Sequence, residues 1–302
     1  MTEFLQHFVN GLSVGTIYAL IALGYTMVYG VLKLINFAHG DVYMVGAFSG
    51  YYLAQVLGVR SPYEPNPPSG LETFVNASLV TMGAMIICAL LGFAIERFAY
   101  RPLRQRPRLT SLITAIGISF LLEYGFQLAP VIRRPIQFPP GPSPRFFPTL
   151  LERVPYEFLG VNTSNYDLIG LGVAFALMLG LQWIVYRTRF GTAMRAVSFD
   201  PPVAGLMGIP VNRIISGTFM LGSALAAAAG IINAVSRPKI DPLFGLVSGL
   251  KAFVAAVLGA AEEFVAGYTD SSYRDAIAFT VLILVLLVRP TGIFGRVTAE
   301  KV

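Results

Sequence analysis

The sequence predicts an all-α, polytopic membrane helix bundle, and three observations carry that expectation. Of the 302 residues, 55% are hydrophobic and only 13% are Asp, Glu, Lys or Arg, about half the roughly 25% of a soluble domain. The mean hydropathy is +0.67, which is more apolar surface than one water-facing core can hide. The apolar residues also fall in long runs, and about 20 such residues are what a helix needs to cross a bilayer. A soluble enzyme, a disordered chain and a nucleic-acid-binding protein are excluded, in spite of the net charge of +6. The basic excess instead suits cytoplasmic loops, where Arg and Lys set topology.

The opening residues, Met1-Thr-Glu-Phe-Leu-Gln-His-Phe8, have neither a basic region nor a small-residue cleavage site. The first apolar run, 9–32, therefore reads as a retained span. Runs 74–95, 166–186 and 214–235 are equally plain. Run 109–132 qualifies although Glu123 and Gln127 sit inside it, and 35–57 opens with the polar cluster Asn36, His39 and Asp41. Run 273–288 is long enough if its helix begins near Tyr273. The doubtful segment is 244–261, which contains Lys251 and glycines at 245, 249 and 259. That makes about seven or eight spans in a single domain, 1–302. The lone cysteine, Cys88, lies in an apolar run, forms no intrachain disulfide and packs as a small hydrophobe.

Charge orients the bundle. Arg97, Arg101, Arg104, Arg106 and Arg108 crowd one loop that has no acid, and Arg187, Arg189, Arg195 and Arg213 stand against Asp200 in segment 187–213. The tail adds Arg289, Arg296 and Lys301 against Glu300. These segments are predicted to be cytoplasmic, and the C-terminus with them. The Pro-rich, mixed-charge loops 58–73 and 130–165 then lie outside, together with the N-terminus. Parity fails near the end. If 244–261 and 273–288 both cross, the basic tail finishes on the wrong side. Either 244–261 does not cross, or a span is missing near residue 260.

Three sites carry polar or special chemistry. In the first, Asn36 and His39 are three residues apart and would share a helix face. An intramembrane Asp such as Asp41 costs about 2.5–3.5 kcal/mol at a helix centre. The cluster reads either as a kinked element beside a solute path, or as a cap from Asn36 or Asp41 with His39 bonding a nearby carbonyl. Glu123 should likewise face other helices rather than lipid. In the second, Asp200 suits an N-cap, Pro201 a first helical position and Gly208 a C-terminal stop. The helix of about two turns between them, 202–207, exposes Val203, Leu206 and Met207, for a protein partner or for lipid headgroups. The third is the small-residue run Gly222-Ser-Ala-Leu-Ala-Ala-Ala-Ala-Gly230, which suits close helix packing. No phosphate-binding loop, metal-ligand spacing or catalytic constellation is present in the sequence, so no enzyme activity, metal or cofactor is expected.

Six ordered stretches resemble the LivH-type permease subunit of bacterial ABC importers for branched-chain amino acids. They are residues 10–30, Ile35-Asn-Phe-Ala-His-Gly-Asp-Val-Tyr-Met44, Glu96-Arg-Phe-Ala-Tyr-Arg-Pro-Leu-Arg104, Gly191-Thr-Ala-Met-Arg-Ala196, residues 249–259 and Arg289-Pro-Thr-Gly292. The resemblance implies an inner-membrane subunit that pairs with a second, LivM-like permease. It implies two cytoplasmic ATPase subunits that hydrolyse ATP and a periplasmic amino-acid binding protein that delivers substrate. It also implies that a cytoplasmic helix seats in the ATPase. The coupling candidates are then Arg195, Asp200, Pro201, Val203, Gly205, Leu206, Met207 and Gly208. The pathway candidates are Tyr18, Tyr25, Asn36, His39 and Asp41. Family members continue after Val257-Leu-Gly259 through a Gly-rich loop and a further apolar segment, whereas this chain passes directly to Ala260-Ala-Glu-Glu-Phe264. Permeases for urea or short amides, and a transporter coupled to protons through His39, Asp41 or Glu123, are the competing functions.

Overall fold

The computed structural model describes residues 2–258, apart from 33–35, 64–67, 105, 133–136 and 159. The expected span 273–288, the basic tail and the missing span after Gly259 lie outside the described residues. The helices are α1 (Thr2–Leu32), α2 (His39–Val56), α3 (Gly70–Ala94), α4 (Arg108–Gln127), α5 (Asn165–Arg187), α6 (Arg189–Phe199), α7 (Pro201–Leu206), α8 (Val211–Ser236) and α9 (Phe244–Leu258). A π-helical turn, Ile95–Tyr100, prolongs α3. Five helices are long and apolar enough to cross a membrane: α1, α3 with its extension, α4, α5 and α8.

α8 is the axis of the bundle, with α1, α2 and α3 packed around it. Its small residues make that possible. A Cβ on Gly230 would lie 2.4 Å from the Tyr43 carbonyl oxygen, and one on Gly46 would lie 2.5 Å from Ala227 Cα. The small-residue run is therefore a close-packing surface, as its composition predicts. α2 is buried along almost its whole length, so it is an interior helix of the bundle. Its rise of about 27 Å approaches the thickness of the hydrocarbon core. α9 crosses α2 where Gly40 meets Gly245 and Gly249, with a hypothetical Gly40 Cβ only 2.6 Å from the Gly245 carbonyl oxygen.

Three boundaries differ from the sequence expectation. α2 begins at His39 rather than 35, because residues 36–38 form a turn in which the His39 amide donates to the Asn36 carbonyl. Asn36 and His39 therefore do not share a helix face, and no side chain caps α2. α4 stops at Gln127, with Leu128 extended at ψ 152°; Pro130 then holds Ala129 out of helical geometry. Segment 187–213 is not a loop with one helix. It also holds α6, which starts where Thr188 accepts from the Gly191 amide and buries Gly191, Met194 and Val197 on one face.

The two ends of the bundle are distinct. At one end Ser198 Oγ donates to the Gly30 carbonyl at 2.6 Å and Arg104 reaches Asn212 at 2.7 Å, so segments 97–108 and 187–213 lie together. At the other, Gln6 and Ser13 of α1 bond Asn162 and Asp167. There a hairpin of β2 (Pro155–Phe158) and β3 (Val161–Ser164) and a short pair, β1 (Arg145–Phe146) with β4 (Lys239–Ile240), order the loops.

Candidate functional site

The polar residues at the start of α2 are drawn fully into the protein. Asn36, His39 and Asp41 are 4%, 1% and 0% exposed. The Tyr100 hydroxyl donates to Asn36 Oδ1 at 2.8 Å. The His39 ring meets the Tyr25 ring edge-on with centroids 4.7 Å apart. Gly24 admits it, since a Cβ there would lie 2.3 Å from His39 Nε2. Ser119 of α4 donates to Asp41 Oδ2, and the Glu123 carboxyl lies within electrostatic reach of that of Asp41.

Glu123 is 2% exposed, so it is shielded from lipid as its cost there requires. Of the predicted pathway residues, the fold gathers Tyr25, His39 and Asp41 into one closed cluster with Ser119 and Glu123. Asn36 is instead bonded to Tyr100. Tyr18, two turns from Tyr25 on α1, is half-buried beside Tyr43 instead.

A second polar centre lies at the arginine-bearing end. Glu96, fully buried, pairs with Arg104 and accepts from the Ser216 hydroxyl. Arg104 also donates to Asn212 at the start of α8. Burial draws the Arg104 guanidinium below its ordinary pKa, and the charge of Glu96 opposes the shift; the group stays protonated. Sequence reasoning treated Glu96 only as part of a motif. The signal for it was a single acid beside a run of five arginines.

α7 stands outside the spans. Asp200 caps it by accepting from the Val203 amide at 3.0 Å, and Pro201 opens it. Gly208 ends it in the left-handed region at φ +81°, where a glycine carries no Cβ penalty. The helix runs from 201 to 206, and Gly205 is within it. Leu206, Met207 and Val203 are 87%, 78% and 52% exposed. Phe199, at the end of α6 and two residues before α7, is also exposed, at 93%; the sequence does not single it out, because α6 reads as loop. Arg195 does not join this surface. Its guanidinium lies 2.8 Å from the Val185 carbonyl and over the Tyr186 ring, so it braces the corner between α5 and α6.

A many-spanning bundle, a closed polar core and an apolar helix held outside the spans define an integral membrane protein of the permease class. The chain belongs to the family described as branched-chain amino acid transport system / permease component, whose model matches residues 7–295. It is 39% identical to the high-affinity branched-chain amino acid transport system permease protein BraD of Pseudomonas aeruginosa, over 99% of this chain and 98% of that protein. It is 38% identical to the corresponding LivH of Escherichia coli, with the same coverage. A probable LivH of Methanocaldococcus jannaschii is 25% identical over 91% of this chain and 88% of its own length. The first two alignments run to 324 and 318 residues against a chain of 302, so those relatives hold residues that this chain lacks. No solved structure matches it.

Proposed function

We propose that this chain is the pathway-forming membrane subunit of an ATP-driven importer that carries leucine, isoleucine and valine into the cytoplasm. It would work beside a second, LivM-like permease, two cytoplasmic ATPase subunits and a periplasmic amino-acid binding protein. The arginine-bearing end is cytoplasmic in this reading, with 187–213 as the segment that carries the coupling helix and 130–165 as a periplasmic loop. The observation that supports it best is α7, which is capped, stopped and apolar where no core among the described residues covers it. Burying a side chain of the size of Leu206 contributes about 1.5–3 kcal/mol, enough for a few such groups to seat an ATPase. Tyr25, Asn36, His39 and Asp41 would act as the closed gate of the path, and the residues absent relative to the relatives would fall after Gly259.

The test is Leu206→Asp, alone and with Phe199→Asp, in the assembled transporter. The ATPase subunits should no longer co-purify and uptake of labelled leucine should stop, while the permease still inserts. Normal ATPase retention and uptake would refute the coupling role. Labelled urea taken up in place of leucine would move the substrate to the amide-type permeases. The buried carboxyl pair Asp41–Glu123 favours a second reading, proton-coupled transport. Uptake driven by a pH gradient without ATP would establish it. Reporters fused within 139–148 and after Val302 should behave as periplasmic and cytoplasmic respectively, and the reverse pattern would overturn the orientation.

A further inference from the structure

At the arginine-bearing end, the last turns of α3 and the first turns of α8 border a cavity of about 640 Å3, within the roughly 300–1,000 Å3 of ordinary ligand sites. Its lining changes character along the helix axis. Phe93, Gly217 and Met220 belong to the two membrane spans. Arg97, Arg101 and Arg213, with Asn212, line the same cavity nearer the helix ends. From Arg213 to Met220 the helix rises about 10 Å, so the cavity extends that far along α8 from its cationic end toward its apolar one. Among the described residues no carboxylate pairs with these three arginines; the ion pairs formed there, Arg60–Glu72 and Arg104–Glu96, use others. Topology accounts for arginines on this side of the membrane. It does not account for arginines of two helices converging on one apolar-floored cavity.

We propose that this cavity is a binding site for an anionic phospholipid of the adjoining leaflet. Its phosphate is held by Arg97, Arg101 and Arg213, and the first carbons of its chains lie on Phe93 and Met220. The guanidinium fork matches phosphate oxygens, and basic pockets between spans at the membrane surface suit anionic headgroups. An acidic segment of a soluble partner would satisfy the mouth but leave the floor, at hydrocarbon depth, uncovered. Pro210 and Val211 line the same cavity and join α7 to α8, so the bound headgroup braces the joint behind the exposed helix. That last consequence rests on the coupling role proposed for α7; the site itself does not.

The experiment uses the assembled transporter in nanodiscs of phosphatidylcholine, alone or doped with phosphatidylglycerol. Native mass spectrometry then reads the lipid retained, without ATP or substrate. Phosphatidylglycerol should be retained in preference to phosphatidylcholine. The combined variant Arg97→Gln, Arg101→Gln and Arg213→Gln should lower that preference roughly a hundredfold, at about one unit of surface attraction per arginine. Changing Arg106, Arg187 and Arg189 to Gln, at the same end but outside the cavity, should leave it intact. If the combined variant does not fold, Arg213→Gln alone, at an exposed position, should lower retention about fivefold. Unchanged retention in these cavity variants, or an equal loss in the control, overturns the site. So does displacement of the lipid by soluble glycerol 3-phosphate, which would make the ligand a free phosphate ester. Loss of the ATPase subunits with the lipid still retained would mean that the arginines face an acidic protein surface. A failure of the α7 or substrate assignments leaves the lipid readout unaffected.

Discussion

The Tyr100 hydroxyl lies 2.8 Å from Asn36 Oδ1, and this bond joins the π-helical end of α3 to the turn that starts α2. One turn earlier on the same segment, Glu96 holds Ser216 and Arg104, and Arg104 holds Asn212. The same π-helical turn is therefore tied to the start of α8 through Glu96 and to the foot of α2 through Tyr100. In the coupling proposed above, a push on α7 would reach Asn36 only if the π-helical turn moves as one piece. π-helical turns are rare and often mark functional positions, and here the turn is what brings Glu96 and Tyr100 inward together.

Tyr100→Phe should destabilise the protein by about 1–3 kcal/mol, because a buried acceptor is left without its donor. The aromatic packing on Phe219, with centroids 5.4 Å apart, is kept. Thermal unfolding in detergent measures the loss. Combining Tyr100→Phe with Asn36→Leu should recover much of it, since removing both partners leaves no orphan. An additive double variant would show that the bond carries no stability.

Breaking the Glu96–Arg104 pair from either side should cost about 3–5 kcal/mol, the usual range when a buried charge loses its partner. Glu96→Gln and Arg104→Gln together should cost clearly less than the two singles added. A double-mutant cycle checks this, and strict additivity would contradict the pairing.

Gly46→Ala and Gly230→Ala should each prevent accumulation of folded protein in the membrane, because the new carbon meets backbone at 2.5 and 2.4 Å. Overpacking of this kind typically costs about 1–3 kcal/mol or more. Gly117→Ala, where nothing lies within 4 Å, should be neutral. Immunoblots of membrane fractions separate the two outcomes.

Asp200→Ala removes the cap of α7 and should loosen that helix by about 1 kcal/mol. Hydrogen exchange over 201–206 should quicken severalfold, while Asp200→Asn, which still accepts a hydrogen bond, should hold the native rate. Equal rates in all three proteins would mean that packing, not the cap, holds α7.

The sequence was most informative where one physical demand dominates. The demand for long apolar runs made α1, α3, α5 and α8 visible, and Asp200, Pro201 and Gly208 marked α7 almost to the residue. α6 was hidden because its buried face is only Gly191, Met194 and Val197, set among arginines that read as loop. α2 was misplaced by four residues because its start is fixed by a backbone turn at Asn36 and not by a side-chain cap. Ser119 and Ser216 were invisible as partners of Asp41 and Glu96. Their roles depend on which helices become neighbours, and a serine in a span has no local signature.

The central position of α8 sets an order of events during synthesis. Asp41 enters the membrane long before its hydroxyl donor, Ser119, which follows 78 residues later in the chain. At about 5–20 residues per second that interval lasts roughly 4–16 seconds. The helix that fills the middle of the bundle begins only at Val211, after α1, α2, α3 and α5, which pack against it, have been made. The nascent protein must therefore shelter a carboxyl until Ser119 has entered, and hold a helix-wide slot open until the ribosome has passed residue 236.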